Sequence, residues 1–473
     1  MKSYKKLGKN VFLLTLGNFA SKILTFLLVP FYTAYLTTEQ YGTADLITST
    51  VNLIMPIFTL LMYEAVMRYA LDNENFAQIF SWGIYITIVG SFLVTAASPI
   101  LLLFTDLKAH VHLFVLYYVS LAFYNLILQF AKGIEKVGVF SIAGVLNTLI
   151  YVGCNLLFLI VFEMKIDGYL YSSIISHFVT SVYVFIAINA YKFIIPIKRL
   201  AKSQFVLMVR YSCPMIPNAI SWWLSNSSSK LILTAFWDTS ANGLFSVAYK
   251  IPSILTLIVS IFISAWQISA VENFGSDESK RFYEDVYDKY SGLLFLTCSA
   301  LIVITKPLSA LLFSGEFFAA WVIIPMLIYA FVFNSFASFY GSIYTSAKKT
   351  KMLFYSTLLG AGLNIALSLA LVPKFGTLGA AFATIVSYFA IYIMRMIDTK
   401  KILPIKTHWK RDILANVIII IEIIVVMIDR NYYFIPSIVC ALLVCVLCRR
   451  IISEIVKTAL GVIKGIKHNK ESL

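Results

Sequence analysis

Apolar stretches of about 20 residues follow one another along this whole chain, each long enough for a helix to cross ~30 Å of hydrocarbon. That repetition constrains the fold more than any other feature. In lipid every backbone amide must be bonded inside the protein, so only helices or a closed barrel can span. A barrel needs short strands that alternate in polarity, and these windows are continuously apolar. Hydrophobic residues make up 60% of the chain and charged residues 13%, too little charge to cover a soluble surface. The expected fold is an all-α polytopic membrane protein.

The windows centre near residues 23, 57, 91, 121, 150, 178, 223, 256, 299, 332, 362, 386, 420 and 443, which makes about fourteen transmembrane helices. The first runs from about Val11 to Tyr35, too long for a signal h-region, with no small-x-small cleavage site behind it. It reads as a permanent helix. Basic residues then orient the set. Thirty of the 38 Lys and Arg fall in the N-terminus, the even-to-odd loops and the C-terminus; the opposite loops hold only Lys108, Lys165, Lys306, Lys374 and Arg430. By the positive-inside rule both termini are cytoplasmic. The net charge of +15 is then topology and attraction to anionic lipid, with no nucleic acid implied. Cys154, Cys213, Cys298, Cys440, Cys445 and Cys448 all lie in apolar windows and read as small helix residues rather than metal or redox ligands.

The second half of the chain echoes the first. GYLYSSIISHF at 168–178 pairs without gaps with GAAFATIVSYF at 379–389, and YGTADL at 41–46 compares with NGLFSV at 242–247. Two pseudo-symmetric six-helix lobes are expected, at 1–200 and 201–405, followed by two additional helices and a basic tail at 406–473. Lobes with an even helix count share one topology, a transporter layout that places substrate between them near mid-membrane.

Polar residues fall in stripes. Thr15, Asn18, Lys22 and Thr25 share one face of the first helix; Trp223, Asn226 and Lys230 share a face of the seventh; Ser246, Lys250 and Ser253 share a face of the eighth. The second helix carries Asp45, Thr48, Asn52 and Thr59, then Glu64 and Arg68. Uncharged members of such stripes also serve as hydrogen-bonding glue between helices, and Glu64 and Arg68 are spaced to neutralise each other. Lys22 is harder to explain that way, because a lysine at a helix centre costs roughly 2.5–3.5 kcal/mol and no acidic residue precedes Glu39. The preferred reading is a water-filled cationic cavity suited to phosphate or pyrophosphate, with Trp222, Trp223 and Tyr249 able to stack on sugar rings. No HxxxH, DxD, GxSxG or phosphate-cradling Gly-rich loop occurs, and the outer loops are short. No catalytic residue, cofactor or metal is expected, and the chain reads as a non-enzyme.

Four runs carry a family resemblance: GNFASKILTFLLVPFYTAYLTTEQYG at 17–42, EAVMRYAL at 64–71, YSCPMIPNAISWWLSNSSSKLIL at 211–233 and NGLFSVAYKIPSIL at 242–255. Together they resemble the bacterial polysaccharide repeat-unit flippases of the Wzx type, within the superfamily of multidrug, oligosaccharidyl-lipid and polysaccharide exporters. The resemblance covers essentially the whole chain. It implies alternating access that carries an undecaprenyl-diphosphate-linked oligosaccharide from the inner to the outer leaflet of the cytoplasmic membrane. Substrate-binding candidates would be Lys22, Lys230, Lys250, Arg68, Asn18, Asn226 and Trp223, with Lys22, Lys230 and Lys250 on the diphosphate headgroup and Arg68 as an entry contact; Asp45 and Glu64 are candidates for ion coupling. Partners would be the lipid-linked substrate and the bilayer, with a polysaccharide polymerase and chain-length machinery as further candidates. Where members often carry an Asp-Arg pair in the seventh helix, this chain has Ser229-Lys230, keeping the positive charge and losing the acid beside it. Two alternatives share the fold: a multidrug/cation antiporter, which would want acidic residues on the first helix, and a peptidoglycan lipid-precursor flippase, which would want several arginines in the first helices.

Overall fold

A computed structural model describes residue 24 and residues 26–454, apart from 73–74, 104, 276–277, 348, 350 and 429–431. Among the described residues the regular structure is helical throughout. By backbone contacts the chain divides into two units, one of residues 1–247 with 312–317, the other of 248–311 with 318–473.

The first unit holds α1 (Val29–Tyr35), α2 (Thr38–Phe58), α3 (Met62–Asp72), α4 (Phe76–Ala97), α5 (Val111–Gly133), α6 (Val137–Leu156), α7 (Lys165–Ala187), α8 (Lys202–Ser212) and α9 (Ile216–Phe236), plus all but the last residue of α10 (Thr239–Ala248). α2 starts where the sequence TTEQ permits reciprocal capping. The Thr37 hydroxyl accepts from the Gln40 amide, and the Gln40 side chain accepts from the Thr37 amide, each at 3.2 Å. α2 ends at a bend of 58° into α3. The cause is local. Pro56 removes a helical donor, Thr59 turns its hydroxyl back on the Met55 carbonyl at 2.7 Å, and Leu60 and Leu61 take left-handed backbone with φ of 51° and 49°. The bend separates a segment carrying Asp45 from a segment carrying Glu64 and Arg68.

The second unit holds α11 (Lys250–Asn273), α12 (Ser279–Val303), α13 (Thr305–Leu312, its last residue counted with the first unit), α14 (Ile324–Ser346), α15 (Lys351–Thr399), α16 (Trp409–Ile428) and α17 (Phe434–Leu447). As one rod, the 49 residues of α15 would extend about 74 Å, more than twice the hydrocarbon thickness. It folds back instead. Pro373 precedes Gly376, whose φ of 53° and ψ of −129° only glycine takes readily, and Gly379 then packs directly on the Leu371 backbone. The core of this unit is aromatic. Trp266 stacks on Phe339 at 5.0 Å and donates to Ser342 at 2.7 Å, and Tyr290 donates to the Ser335 carbonyl at 3.1 Å. Arg395 is buried yet satisfied, donating to Ser356, to the Ala337 carbonyl and to Thr357 at 2.8–3.1 Å.

Seven described helices are long and apolar enough to span, or eight if the α2–α3 pair is one crossing. α9 is not among them, because its serines, asparagines and Lys230 lower its hydropathy; α17, at 14 residues, extends only about 21 Å. Large apolar side chains such as Phe92, Val161, Ile186, Ile428 and Ile435 point outward, as a surface solvated by acyl chains requires. The chain is a multi-pass helical membrane protein.

Candidate functional site

The first unit brings two of the sequence-derived candidates together. Lys230 on α9 donates to both oxygens of Asp45 on α2, at 2.9 and 3.2 Å, with only 15% and 19% of the two side chains exposed. The acid missing beside Lys230 in sequence is supplied by a residue 185 positions away. Seven residues earlier on the same face of α9, Trp223 donates its indole N–H to the Ser49 carbonyl at 2.8 Å, and Ser49 is one turn beyond Asp45 on α2. Two rungs, one ionic and one neutral, therefore fasten α2 to α9.

One turn further along α9, Thr234 bonds back to the Lys230 carbonyl at 3.1 Å and lines a cavity of about 610 Å³. The cavity wall is polar: Thr37, Thr38 and Ser240 supply hydroxyls, and Glu39, Asp238 and Glu316 supply carboxylates. Thr38 sits between Ser240, at 2.5 Å, and Glu316, at 2.9 Å. The 312–317 segment is held here by Thr33, which donates to the Leu312 carbonyl and accepts from the Ser314 amide. The sequence reading missed these three carboxylates. Each lies in or just before the first turn of a helix, where acidic side chains suit the positive end of the helix dipole, so residue type alone does not mark them as a site. Asp238 does cap α10, accepting from the Ala241 amide at 2.7 Å.

Beside the cavity, α2 and α10 touch backbone to backbone. A Cβ on Gly42 would fall 1.7 Å from the Thr239 carbonyl oxygen, and a Cβ on Gly243 would fall 2.0 Å from that of Thr38. The contact is reciprocal, with the same four-residue spacing in each direction, and it joins the segments 41–46 and 242–247 that compare in sequence. Asn242 reinforces it by donating to the Gly42 carbonyl at 2.9 Å. On the other side of α2, Tyr41 and Tyr32 meet Tyr169, and the Tyr32 hydroxyl donates to Tyr151 at 2.8 Å.

The remaining candidates scatter. Lys22 and Asn18 lie outside the described residues. Asn226 is exposed and donates to the Trp222 carbonyl of its own helix at 2.7 Å. Glu64 is half-buried and accepts from Gln129 on α5 at 3.4 Å, while Arg68, one turn on, is exposed. Lys250 opens α11 in the second unit and is half-buried. Among the described residues no group of His, Cys, Asp and Glu is placed to hold a metal ion.

The family model described as "Polysaccharide biosynthesis protein" matches residues 7–267. An uncharacterized membrane protein of Methanocaldococcus jannaschii, MJ1068, is 26% identical over 155 residues, which span 32% of this chain and 30% of that protein. The chain therefore matches less than a third of that curated relative's length. Among solved structures, the lipid II flippase MurJ in its inward closed conformation superposes with a TM-score of 0.69 at 15% identity, covering 93% of this chain and all of that one. An inward-facing multidrug resistance MATE family transporter of the MOP superfamily gives 0.61 at 12% identity over 82% and 94% of the two chains. A MOP superfamily transporter from Pyrococcus furiosus, whose binding pocket is described as having reverse polarity that suggests a different function, gives 0.57 at 13% over 83% and 95%. These likenesses establish a shared helical transporter fold. With that fold around it and the family model matching more than half of its residues, the chain belongs to the polysaccharide biosynthesis protein family.

Proposed function

We propose that the chain is a flippase for lipid-linked oligosaccharides, moving undecaprenyl-diphosphate-linked repeat units from the inner to the outer leaflet of a bacterial cytoplasmic membrane. The observation that carries the reading is Lys230. It is a mostly buried lysine on a polar helix face, one turn from a polar cavity, in a membrane protein of the polysaccharide biosynthesis family. A cation inside a membrane protein is retained for a task. In this reading Lys22, Lys230 and Lys250 take the diphosphate, Arg68 is an entry contact, Asn18, Asn226 and Trp223 meet the sugars, and Asp45 holds Lys230 between transport steps. The lobes 1–200 and 201–405 alternate access, residues 406–473 add two helices, and both termini are cytoplasmic. No bond is made or broken, so no enzymatic role is assigned. A polysaccharide polymerase and chain-length machinery are the natural partners.

The test is complementation of a strain lacking its own repeat-unit flippase, with Lys22→Ala and Lys22→Arg alongside wild type. Surface polysaccharide and accumulated lipid-linked repeat units are the readouts. Wild type and Lys22→Arg restore export, while Lys22→Ala accumulates substrate inside at normal membrane levels. Equal export by Lys22→Ala removes the lysine from the site. A second reading is favoured by Glu39, Asp238 and Glu316, whose carboxylates suit a cationic cargo better than an anionic one. That multidrug/cation antiporter reading predicts efflux of cationic dyes, and no effect on polysaccharide.

A further inference from the structure

Glu422 lies in the middle of α16 and is 0% exposed. α16 and α17 pack on each other and on α12, and the carboxyl sits where all three helices meet. Ser299 of α12 is 2.6 Å from one oxygen, and Ser437 of α17 is 2.8 Å from the other. Both oxygens are thus occupied, each by a neutral hydroxyl from a different helix. Among the described residues no lysine, arginine or histidine forms an ion pair with it. The titratable groups facing it are the thiols of Cys298 on α12 and Cys440 on α17; Tyr329 of α14 bonds instead to Asn416 on α16 at 2.8 Å. Of the other charged residues of its own helix, all at the helix start and about 15 Å or more away along the axis, Lys410 lies over the Trp409 ring, and Arg411 and Asp412 are bonded to each other and to α12.

We propose that Glu422 is a proton-binding site that fastens α16 and α17 to α12. An ionised carboxylate without a cation is among the most costly groups to hold in a membrane interior, and two serine hydroxyls do not neutralise it. A neutral acid fits the same four oxygens. A hydroxyl both donates and accepts, so the protonated acid donates to one serine and accepts from the other with no heavy atom displaced. The hydroxyls touch the carboxyl directly, which leaves no space between them for a metal ion. Losing the proton puts a bare charge at the three-helix junction, so release of the proton and loosening of the C-terminal helix pair are linked. The assignment stands independently of the cargo and of the lysine site.

The test is infrared difference spectroscopy on the full chain in lipid nanodiscs, stepping pH across neutrality and exchanging water for heavy water. The expected result is a protonated-carboxyl C=O band in wild type that shifts on exchange and is missing in Glu422→Gln. Should Glu422→Gln fail to fold, Ser299→Ala and Ser437→Ala assign the band, because removing either partner moves its frequency. The proposal is overturned if no such band distinguishes wild type from Glu422→Gln and none moves in the serine variants. It is equally overturned if adding sodium at fixed pH abolishes the band, which would make the site one for a metal ion.

Discussion

At the scale of the residue, the Lys230–Asp45 pair carries the sharpest expectations. Removing either partner breaks a largely buried ion pair, a loss of about 3 kcal/mol or more. Lys230→Met and Asp45→Asn are each expected to lower the unfolding temperature in detergent. The double variant should be closer to wild type than the sum of the singles, since the ion pair is lost only once. A purely additive double-mutant cycle would show that the two charges are not coupled. Export separates stability from function. If Lys230 is a headgroup contact, the double variant is stable and still fails to export. Trp223→Phe deletes only the indole donor to Ser49 and should cost about 1 kcal/mol, most of it regained if another donor reaches that carbonyl. Neither bond was visible in the sequence. Lys230 was legible as a misplaced charge and Asp45 as an acid in a span, but nothing local says that residues 185 apart share an ion pair.

At the scale of the element, the α2–α10 crossing and the α2 cap make contrasting predictions. Gly42→Ala places a methyl carbon 1.7 Å from the Thr239 carbonyl oxygen, far inside van der Waals contact distance, so the two helices must separate. A large loss of stability follows, and the same holds for Gly243→Ala. Gly144, in the middle of α6, has open space where its Cβ would be. Gly144→Ala should therefore be neutral or stabilising, by up to about 1 kcal/mol from helix propensity. Thermal unfolding of the three variants side by side checks this. If all three respond alike, the close approach of α2 and α10 is wrong. Thr37→Ala removes the capping box of α2 and should cost about 1 kcal/mol, partly recovered by Thr37→Ser. The cap rests on a local signal, TTEQ before an apolar run, which the sequence reading did not use. The break between α2 and α3 was not legible, because Pro56 alone does not predict where the chain resumes as a helix.

At the scale of the whole molecule, the proposed orientation predicts that tags at either end are shielded from an impermeant reagent in intact cells and react once the membrane is opened. Labelling of one end alone from outside would break the charge-based topology. The all-helical, multi-pass fold needed only hydrophobic length, a property read window by window and independent of what packs on what. Membership of the polysaccharide biosynthesis protein family likewise rests on local sequence, over residues 7–267, while the repeat-unit flippase type is a proposal. What the sequence left open were the partners. Asp45 for Lys230, Ser299 and Ser437 for Glu422, Thr239 against Gly42, and the carboxylates that gather around one cavity all depend on three-dimensional proximity. Burial in lipid makes every charge and every polar atom expensive. That expense makes such residues conspicuous in the sequence, whereas the identity of whatever satisfies them is decided by helix packing, which composition and periodicity do not encode.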